Sequence, residues 1–247
     1  MPDSCMSAQR ILALVKPGEA TFLEDYFSDT CSSFNAFTPK DDLFRSLNPA
    51  PGFLFFDPSQ ISPSNRKILR GLADAGKTRL FIFDGENTTE TDLSGAFPIV
   101  LPLNPMTFEE AVFKSVEFPP EMRVLVVDDE PELCAGIREY LESRRSQPAF
   151  RVEDALNGLE AFHKMEAFRP DVTILDLKMP VKSGHDFYRE AQKRFSGFRA
   201  IVLTSSVGPE EIEEIRKSGA PPFVEKGSRR SSFPELVSLI KKTWIFS

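Results

Sequence analysis

The sequence predicts an α/β protein built from two doubly wound parallel-sheet domains in tandem. Short β-rich runs alternate with helical patterns along the chain, and this rhythm occurs twice. Strict alternation of strands and helices requires a parallel sheet with helices on both of its faces. The run "VTILDL" is also largely apolar on both faces, as expected for a buried parallel strand.

The C-terminal half contains five strand candidates and five helix candidates in alternation. The strand candidates are "RVLVVDD", "FRVED", "DVTILDL", "RAIVLTS" and "PFVEKG". The helix candidates are "PELCAGIREYLESRR", "GLEAFHKMEAF", "GHDFYREAQKRF", "PEEIEEIRKSG" and "FPELVSLIKKTW". Pro131 falls in the first turn of the first helix, where proline is tolerated.

The N-terminal half repeats this rhythm less regularly. Its strand candidates are "RILALV", "SFNAFT", "GFLFFD", "RLFIFDG" and "FPIVLPL", and its helix candidates are "EATFLEDYF", "DDLFRSL", "NRKILRGLADAG", "TETDLSGA" and "MTFEEAVFKSV". We therefore predict one domain at residues 1–117 and a second at residues 122–247. The linker at 118–121 contains two prolines and should be short and stiff.

Composition and charge exclude several classes of function. The net charge is −7, and neither half has a basic excess: residues 1–120 hold 10 Lys/Arg and 16 Asp/Glu, and residues 121–247 hold 20 and 21. We therefore expect neither a nucleic-acid partner nor a DNA-binding output domain after the second domain. No apolar run approaches the ~20 residues of a membrane span. With no signal pattern and three scattered cysteines, the sequence predicts a cytoplasmic protein without membrane association.

Polar residues stand at the predicted carboxyl ends of four strands in the C-terminal half. They are Asp128 and Asp129 after the first strand, Asp176 after the third, Thr204 after the fourth and Lys226 after the fifth. The carboxyl ends of parallel strands share one crevice, and three carboxylates in one crevice need a cation to remain ionised. Because all of these ligands are oxygens, Mg²⁺ is a suitable cation. Asp176 could then attack a phosphoryl donor, while Lys226 and Thr204 stabilise the phosphoryl oxygens.

These motifs resemble the receiver domain of two-component response regulators. The segments "VLVVDDEP", "DVTILDLKMPVKSG", "IVLTSS" and "PFVEKG" carry the resemblance, which covers residues 122–246 approximately. It implies a flavodoxin-like (βα)5 fold for this domain. It also implies that Asp176 accepts a phosphoryl group from a histidine kinase or a phosphotransfer protein. The protein would then catalyse only its own phosphorylation and dephosphorylation.

The resemblance also assigns residue roles. It implies that Asp129, Asp176 and the main-chain carbonyl of Lys178 bind Mg²⁺ directly, with Asp128 acting largely through water. Thr204 and Phe223 would form the switch pair that remodels the surface of helix 4, strand 5 and helix 5.

Two departures from the family pattern leave questions open. Gly227 stands where the family usually has proline, and Lys178 stands where relatives often have a smaller or acidic residue. The Lys178 side chain either alters the lifetime of the phosphoryl group or the choice of kinase, or it points to solvent. The acidic helix 4 and the basic flanks of helix 5 are either solvated faces or the interface of a homodimer through helix 4, strand 5 and helix 5.

The N-terminal half resembles a receiver domain without its chemistry. Val15 and Lys16 stand where the acid pair should be, and the later strands end at Asp57, Asp84 and Asn104 with no lysine. We predict that this degenerate site does not bind Mg²⁺ in the usual way and that Asp57 is not phosphorylated. Lys16 could replace the metal charge beside Asp57, or Asp57 and Asp84 could be turn formers only.

Three functions are compatible with the sequence. The first is a response regulator without a DNA-binding output domain, whose phosphorylation switches contacts with an unknown downstream protein. The second is a scaffold whose degenerate half docks a partner, and the 14 of 23 phenylalanines in that half could include an exposed patch. The third, an aspartate-nucleophile phosphatase, is disfavoured because such enzymes usually have an acid where Lys178 stands.

Overall fold

The chain divides into two compact units in the computed structural model. The first unit contains the described residues up to Glu117, and the second extends from Phe118 to Ser247. The structure describes residues 10–28, 34–37, 50–84, 95–205, 208, 213 and 221–247, with the backbone alone described at 34–37, 63, 64 and 84.

The first unit is a five-stranded parallel sheet with helices. Its strands are β1 (Ile11–Leu14), β2 (Phe34–Phe37), β3 (Phe53–Phe56), β4 (Arg79–Asp84) and β5 (Phe97–Val100), in the order β2-β1-β3-β4-β5. Its described helices are α1 (Pro17–Phe27), α2 (Pro63–Asp74) and α3 (Pro105–Lys114). Each of these helices begins with proline, whose missing N–H is not needed in the first turn. The predicted helix "DDLFRSL" and most of "TETDLSGA" lie outside the described residues.

The second unit repeats the same strand order. Its strands are β6 (Glu121–Val127), β7 (Ala149–Ala155), β8 (Val172–Leu175), β9 (Ala200–Thr204) and β10 (Phe223–Glu225), in the order β10-β9-β8-β6-β7. Its described helices are α4 (Pro131–Glu142), α5 (Gly158–Phe168), α6 (Gly184–Arg194) and α7 (Phe233–Phe246). All strand pairs in both sheets are parallel. The predicted fold class, two doubly wound parallel-sheet domains in tandem, is confirmed.

One predicted helix of the second unit, "PEEIEEIRKSG", lies outside the described residues except for Glu213. The homodimer surface suggested by its charges therefore stays a prediction. Among the helices that are described, none is long and apolar enough to cross a membrane.

Two apolar layers enclose the sheet of the second unit because successive residues of a strand point to opposite faces. On β6, Met122, Val124 and Val126 face one cluster, which α4 and α7 complete. Leu125 and Val127 face the other, which α5 and α6 complete. Burial on both faces holds the strand in register, so the positions of the residues that follow it are fixed.

The phenylalanines of the first unit form its core. The Phe55 and Phe81 rings stack with centroids 4.6 Å apart, and the Phe108 ring lies 5.5 Å from that of Phe55. Among the side chains described in this unit, three large apolar ones are exposed: Ile68, Val100 and Met106. None of these three is aromatic. The hypothesis of an exposed aromatic patch therefore finds no support in the described part of this unit.

Candidate functional site

The three aspartates of the predicted metal site in the second unit meet at the point where the strand order reverses. The chain runs from β6 outward to β7 and then returns to β8 on the other side of β6, which leaves a crevice beyond the ends of β6 and β8. Asp128 and Asp129 follow β6, and Asp176 follows β8. One carboxylate oxygen from each of the three lies within 4.8 Å of the others.

Main-chain hydrogen bonds fix these aspartates. The N–H of Asp176 donates to the carbonyl of Val127 at 2.8 Å, and the N–H of Asp128 donates to that of Ala155 at 2.9 Å. Because neighbouring residues alternate in direction, Asp128 is buried and Asp129 is exposed. The Oδ1 atoms of Asp128 and Asp176 accept hydrogen bonds from the N–H groups two residues later, at 3.0 and 3.1 Å. Their Oδ2 atoms point to Lys226.

Lys226 joins the acids at the centre of the site. Its Nζ lies 2.8 Å from Asp128 Oδ2, 2.9 Å from Asp176 Oδ2 and 2.7 Å from Glu130 Oε1. Burial by itself lowers the pKa of Lys226, but hydrogen bonds from its ammonium to the three carboxylates outweigh burial and raise that pKa above its ordinary value. The ammonium is therefore charged at neutral pH.

Glu130 is a member of this site that the sequence reasoning missed. The signal was present, because Glu130 directly follows the two aspartates in "DDEP". The contact could not be read from the sequence, since it joins residues that are 96 positions apart.

The acids carry more negative charge than Lys226 can neutralise. Three carboxylates contact the one ammonium, and Asp129 adds a fourth carboxylate beside Asp128 and Asp176. Burial raises the pKa of Asp128, and the hydrogen bond from Lys226 only partly offsets that effect. An all-oxygen donor set with excess negative charge fits a hard divalent cation such as Mg²⁺. The residues present are therefore compatible with the metal that the sequence predicts.

Thr204 ends β9, and Phe223 begins the neighbouring strand β10, where it pairs with Val202. Thr204 is fully buried, and its Oγ1 has no hydrogen-bond partner among the residues that the structure describes. Its carbonyl accepts a hydrogen bond from the N–H of Lys226 at 2.9 Å, so the two residues are adjacent. Phe223 is partly buried and packs against the apolar layer on the α5 and α6 side.

The two departures from the family pattern have structural correlates. Gly227 has a φ of +81°, a conformation open to glycine and closed to proline, whose φ lies near −65°. The Lys178 side chain is exposed, as the solvent-facing alternative requires. The role of its main-chain carbonyl as a metal ligand stays a prediction.

Gly184 is a second residue that the sequence reasoning missed. A Cβ at this position would lie 1.8 Å from the carbonyl oxygen of Asp176 and 2.9 Å from Cα of Leu177. The N–H of Gly184 also donates to the carbonyl of Leu177 at 3.0 Å. The start of α6 therefore packs directly on the main chain of the Asp176 loop, and only glycine allows this approach.

The corresponding position in the first unit holds an ion pair. Lys16 Nζ lies 2.8 Å from Asp57 Oδ2, and the Asp57 side chain is buried. Asp57 Oδ1 accepts a hydrogen bond from the N–H of Ser59 at 2.8 Å. Burial acts to raise the pKa of Asp57, but Lys16 and Ser59 outweigh burial and lower it below its ordinary value. Asp57 is therefore both a turn former and the partner of Lys16.

The other two residues of the degenerate site are Asn104 and Asp84. Asn104 caps α3, where its side-chain oxygen accepts a hydrogen bond from the N–H of Met106 at 2.9 Å. Asp84 ends β4, and its side chain lies outside the described residues. In the part of the chain that is described, the single cluster of three candidate metal ligands is the one in the second unit.

Comparison with known proteins identifies the family. A family model of the response regulator receiver domain matches residues 124–238. The chemotaxis protein CheY of Halobacterium salinarum is 30% identical over 118 residues, which make up 47% of this chain and 93% of that protein. The chain belongs to the response regulator receiver family. Residues 124–238 form a receiver domain of the kind found in two-component response regulators.

Other similar proteins share the receiver part alone. The protein-glutamate methylesterase/protein-glutamine glutaminase of Treponema denticola is 32% identical over 115 residues, which are 45% of this chain and 30% of that protein. The solved response regulator domain of Thermotoga maritima CheB is 30% identical and matches 51% of this chain and 98% of its own, with a TM-score of 0.45. The chain spans less than two thirds of the length of two curated relatives that it matches, 62% of one and 30% of the other.

Proposed function

We propose that the second unit is the phosphoryl-accepting receiver of a two-component response regulator and that Asp176 is the acceptor. The observation that carries the proposal is the pairing of Lys226 with Asp176, together with the buried hydroxyl of Thr204, which has no hydrogen-bond partner among the described residues. An ammonium beside the carboxylate and a hydroxyl at the end of the adjacent strand β9 can both stabilise phosphoryl oxygens during transfer to that carboxylate.

The reaction is a displacement at phosphorus. A carboxylate oxygen of Asp176 forms the new O–P bond, and the bond from phosphorus to the donor breaks with its electron pair leaving on the donor. With a phosphohistidine donor the leaving atom is an imidazole nitrogen. The Lys226 ammonium neutralises charge on one phosphoryl oxygen, and the Thr204 hydroxyl donates a hydrogen bond to another. Burial of both groups strengthens these interactions because little water competes with them.

The metal site follows from the same residues. Asp128, Asp129, Asp176 and the main-chain carbonyl of Lys178 would hold Mg²⁺, with Asp128 acting largely through water. When bound, Mg²⁺ supplies positive charge next to the phosphoryl oxygens. The excess of carboxylates over ammonium in the pocket supports this assignment.

The partners follow from the reaction. The phosphoryl donor is a histidine kinase or a phosphotransfer protein, and the output is a changed contact with another protein. Thr204 and Phe223 form the switch pair: the hydroxyl gains a phosphoryl oxygen as its partner, and the neighbouring ring, which is only partly buried, turns inward. No enzymatic reaction other than phosphorylation and dephosphorylation of this chain is part of the proposal.

Intact mass after incubation with acetyl phosphate and Mg²⁺ tests the proposal. Wild type, Asp176→Asn and Asp57→Asn should be compared, since Asp57 is the matched aspartate of the first unit. We expect one phosphoryl adduct on wild type and on Asp57→Asn, and none on Asp176→Asn. An adduct that survives Asp176→Asn, or the absence of any adduct on wild type, would contradict the proposal.

A second function, a scaffold role for the first unit, is favoured by the Lys16–Asp57 ion pair. The ammonium of Lys16 stands beside the acceptor-like carboxylate, so this unit needs no metal to neutralise it. A unit of this kind presents one surface to a partner whether or not the second unit is phosphorylated.

Hydrogen exchange of the full chain with and without Mg²⁺ tests the scaffold role. We expect the segment around Asp57 to exchange at the same rate in both conditions, while the segment around Asp128 becomes protected. Protection around Asp57 on addition of Mg²⁺ would show that the first unit binds the metal and would refute the scaffold role.

A further inference from the structure

We infer that Glu130 is a positioning residue that holds the Lys226 ammonium beside the acceptor carboxylate. The inference rests on the proposed function, because it concerns phosphoryl transfer to Asp176. Glu130 Oε1 lies 2.7 Å from Lys226 Nζ, which is the shortest of the three contacts that this ammonium makes with the acids of the pocket.

The different roles proposed for the three acids support this inference. An ammonium has three N–H bonds, and Lys226 directs its Nζ to one oxygen each of Asp128, Asp176 and Glu130. Asp128 belongs to the proposed metal site, and Asp176 is both a metal ligand and the nucleophile. Glu130 has neither task, so its contact with Lys226 can persist when the other two carboxylates are engaged.

The side chains of Lys226 and Glu130 differ in their exposure to solvent. The Lys226 side chain is 12% exposed, whereas that of Glu130 is 59% exposed. The carboxylate of Glu130 therefore holds the ammonium from the solvent side, where a phosphoryl group must enter. A lysine side chain is flexible, and a fixed partner reduces the reorganisation that it needs before it can contact the phosphoryl oxygens.

The main chain of Glu130 is itself fixed. Its N–H donates to Asp128 Oδ1 at 3.0 Å, and its carbonyl accepts hydrogen bonds from the N–H groups of Leu133 and Cys134 at 3.1 and 3.2 Å. Glu130 is the residue that caps the N-terminus of α4. The side chain that holds Lys226 is therefore attached to a rigid helix end.

The variant Glu130→Gln tests the inference, with Glu132→Gln as its matched control. Glu132 is exposed in the first turn of the same helix and loses the same charge, so the control accounts for the change in local electrostatics. Two quantities should be measured on the full chain. One is the rate of acetylation of Lys226 by acetic anhydride without metal, relative to that of the exposed Lys178. The other is the rate of phosphorylation by acetyl phosphate at saturating Mg²⁺.

We expect Glu130→Gln to label faster at Lys226 and to be phosphorylated more slowly than Glu132→Gln, each by about twofold to fivefold, the range for a partly exposed ion pair. Unchanged labelling of Lys226 would show that Glu130 does not hold it. A phosphorylation rate equal to or above that of the control would refute the positioning role. A wild type that takes up no phosphoryl group would instead refute the proposed function.

Discussion

Replacement of Gly184 by alanine should displace the acceptor loop. The added Cβ would lie 1.8 Å from the carbonyl oxygen of Asp176 and 2.8 Å from its carbonyl carbon. Both atoms belong to the main chain, so no side chain can turn away to make room. To restore a normal contact the loop or the start of α6 must move by about 1.5 Å.

This displacement has two costs. Overpacking of this kind costs about 1–3 kcal/mol, and loss of the hydrogen bond from Gly184 to Leu177 adds about 1 kcal/mol. We therefore expect the free energy of unfolding to fall by about 3 kcal/mol. For a unit of the size of Phe118–Ser247, an entropy of about 2 cal/mol/K per residue converts this loss to a decrease in Tm of about 10 °C.

Fluorescence of Trp244 measures this loss in the second unit. It is the single tryptophan of the chain, and it packs against the core between the sheet, α4 and α7. Thermal unfolding of Gly184→Ala should be compared with that of Gly136→Ala, whose added Cβ would meet only the Phe233 ring, at 3.4 Å. We expect the control to retain the Tm of wild type within about 3 °C, because alanine favours a helix interior.

Phosphorylation by acetyl phosphate provides a second assay. Since the displaced main chain belongs to Asp176, we expect slow adduct formation in Gly184→Ala at a temperature where the variant is folded. A variant that keeps both the Tm and the phosphorylation rate of wild type would refute the conclusion that α6 packs on the acceptor loop through glycine alone.

Three further predictions follow from individual residues. The pKa of Asp57 lies below its ordinary value of 3.8, so its stabilising effect is present above that value and is lost as the pH falls through the folded pKa. The protection factors for hydrogen exchange around Asp57, which correct for the slower intrinsic exchange in acid, should therefore fall as the pH falls, and less so in Asp57→Asn. Thr204→Val should leave the free energy of unfolding unchanged or raise it by up to about 1 kcal/mol, because it removes a buried hydroxyl that has no hydrogen-bond partner among the described residues, yet it should slow phosphorylation. Val181 has a φ of +69° and is 85% exposed, so Val181→Asn should raise the free energy of unfolding by about 1 kcal/mol and the Tm by about 4 °C.

Each of these predictions has a contrary outcome. Equal acid dependence in wild type and Asp57→Asn would show that the Lys16–Asp57 pair does not stabilise the first unit. Phosphorylation of Thr204→Val at the wild-type rate would show that the Thr204 hydroxyl takes no part in the reaction. A lower Tm for Val181→Asn would show that the valine side chain makes contacts that offset its backbone strain.

Much of the fold could be predicted because buried strands appear in the sequence as short apolar runs. Eight of the ten observed strands lie within the bounds predicted from the sequence. The other two, β6 and β7, extend beyond their predicted bounds. Every residue of β8 is buried, and the predicted run "DVTILDL" marked it through its apolar character. Strand ends were less certain, since the observed β6 begins at Glu121, two residues before the predicted start. Pairing in the sheet sets these ends, and no local signal in the sequence records it.

The candidate site could be predicted only in part. The positions of Asp128, Asp176 and Lys226 follow from the rule that strand ends share one edge of a parallel sheet. The sequence does not show that Lys226 reaches Glu130 or that Gly184 packs on the main chain of Asp176. Such contacts depend on side-chain direction and on backbone approach between distant segments, and a pattern of residue types contains neither.

The position of β10 and α7 at the end of the second unit affects how this unit folds during synthesis. Asp128 and Asp176 leave the ribosome before Lys226, so the two buried carboxylates have no ammonium beside them until β10 is made. One apolar layer of the sheet also stays open until Leu236 and Ile240 of α7 arrive. Sheet pairing between distant strands is slow. We therefore expect the pocket to close after translation of this unit, in the same step that completes its core.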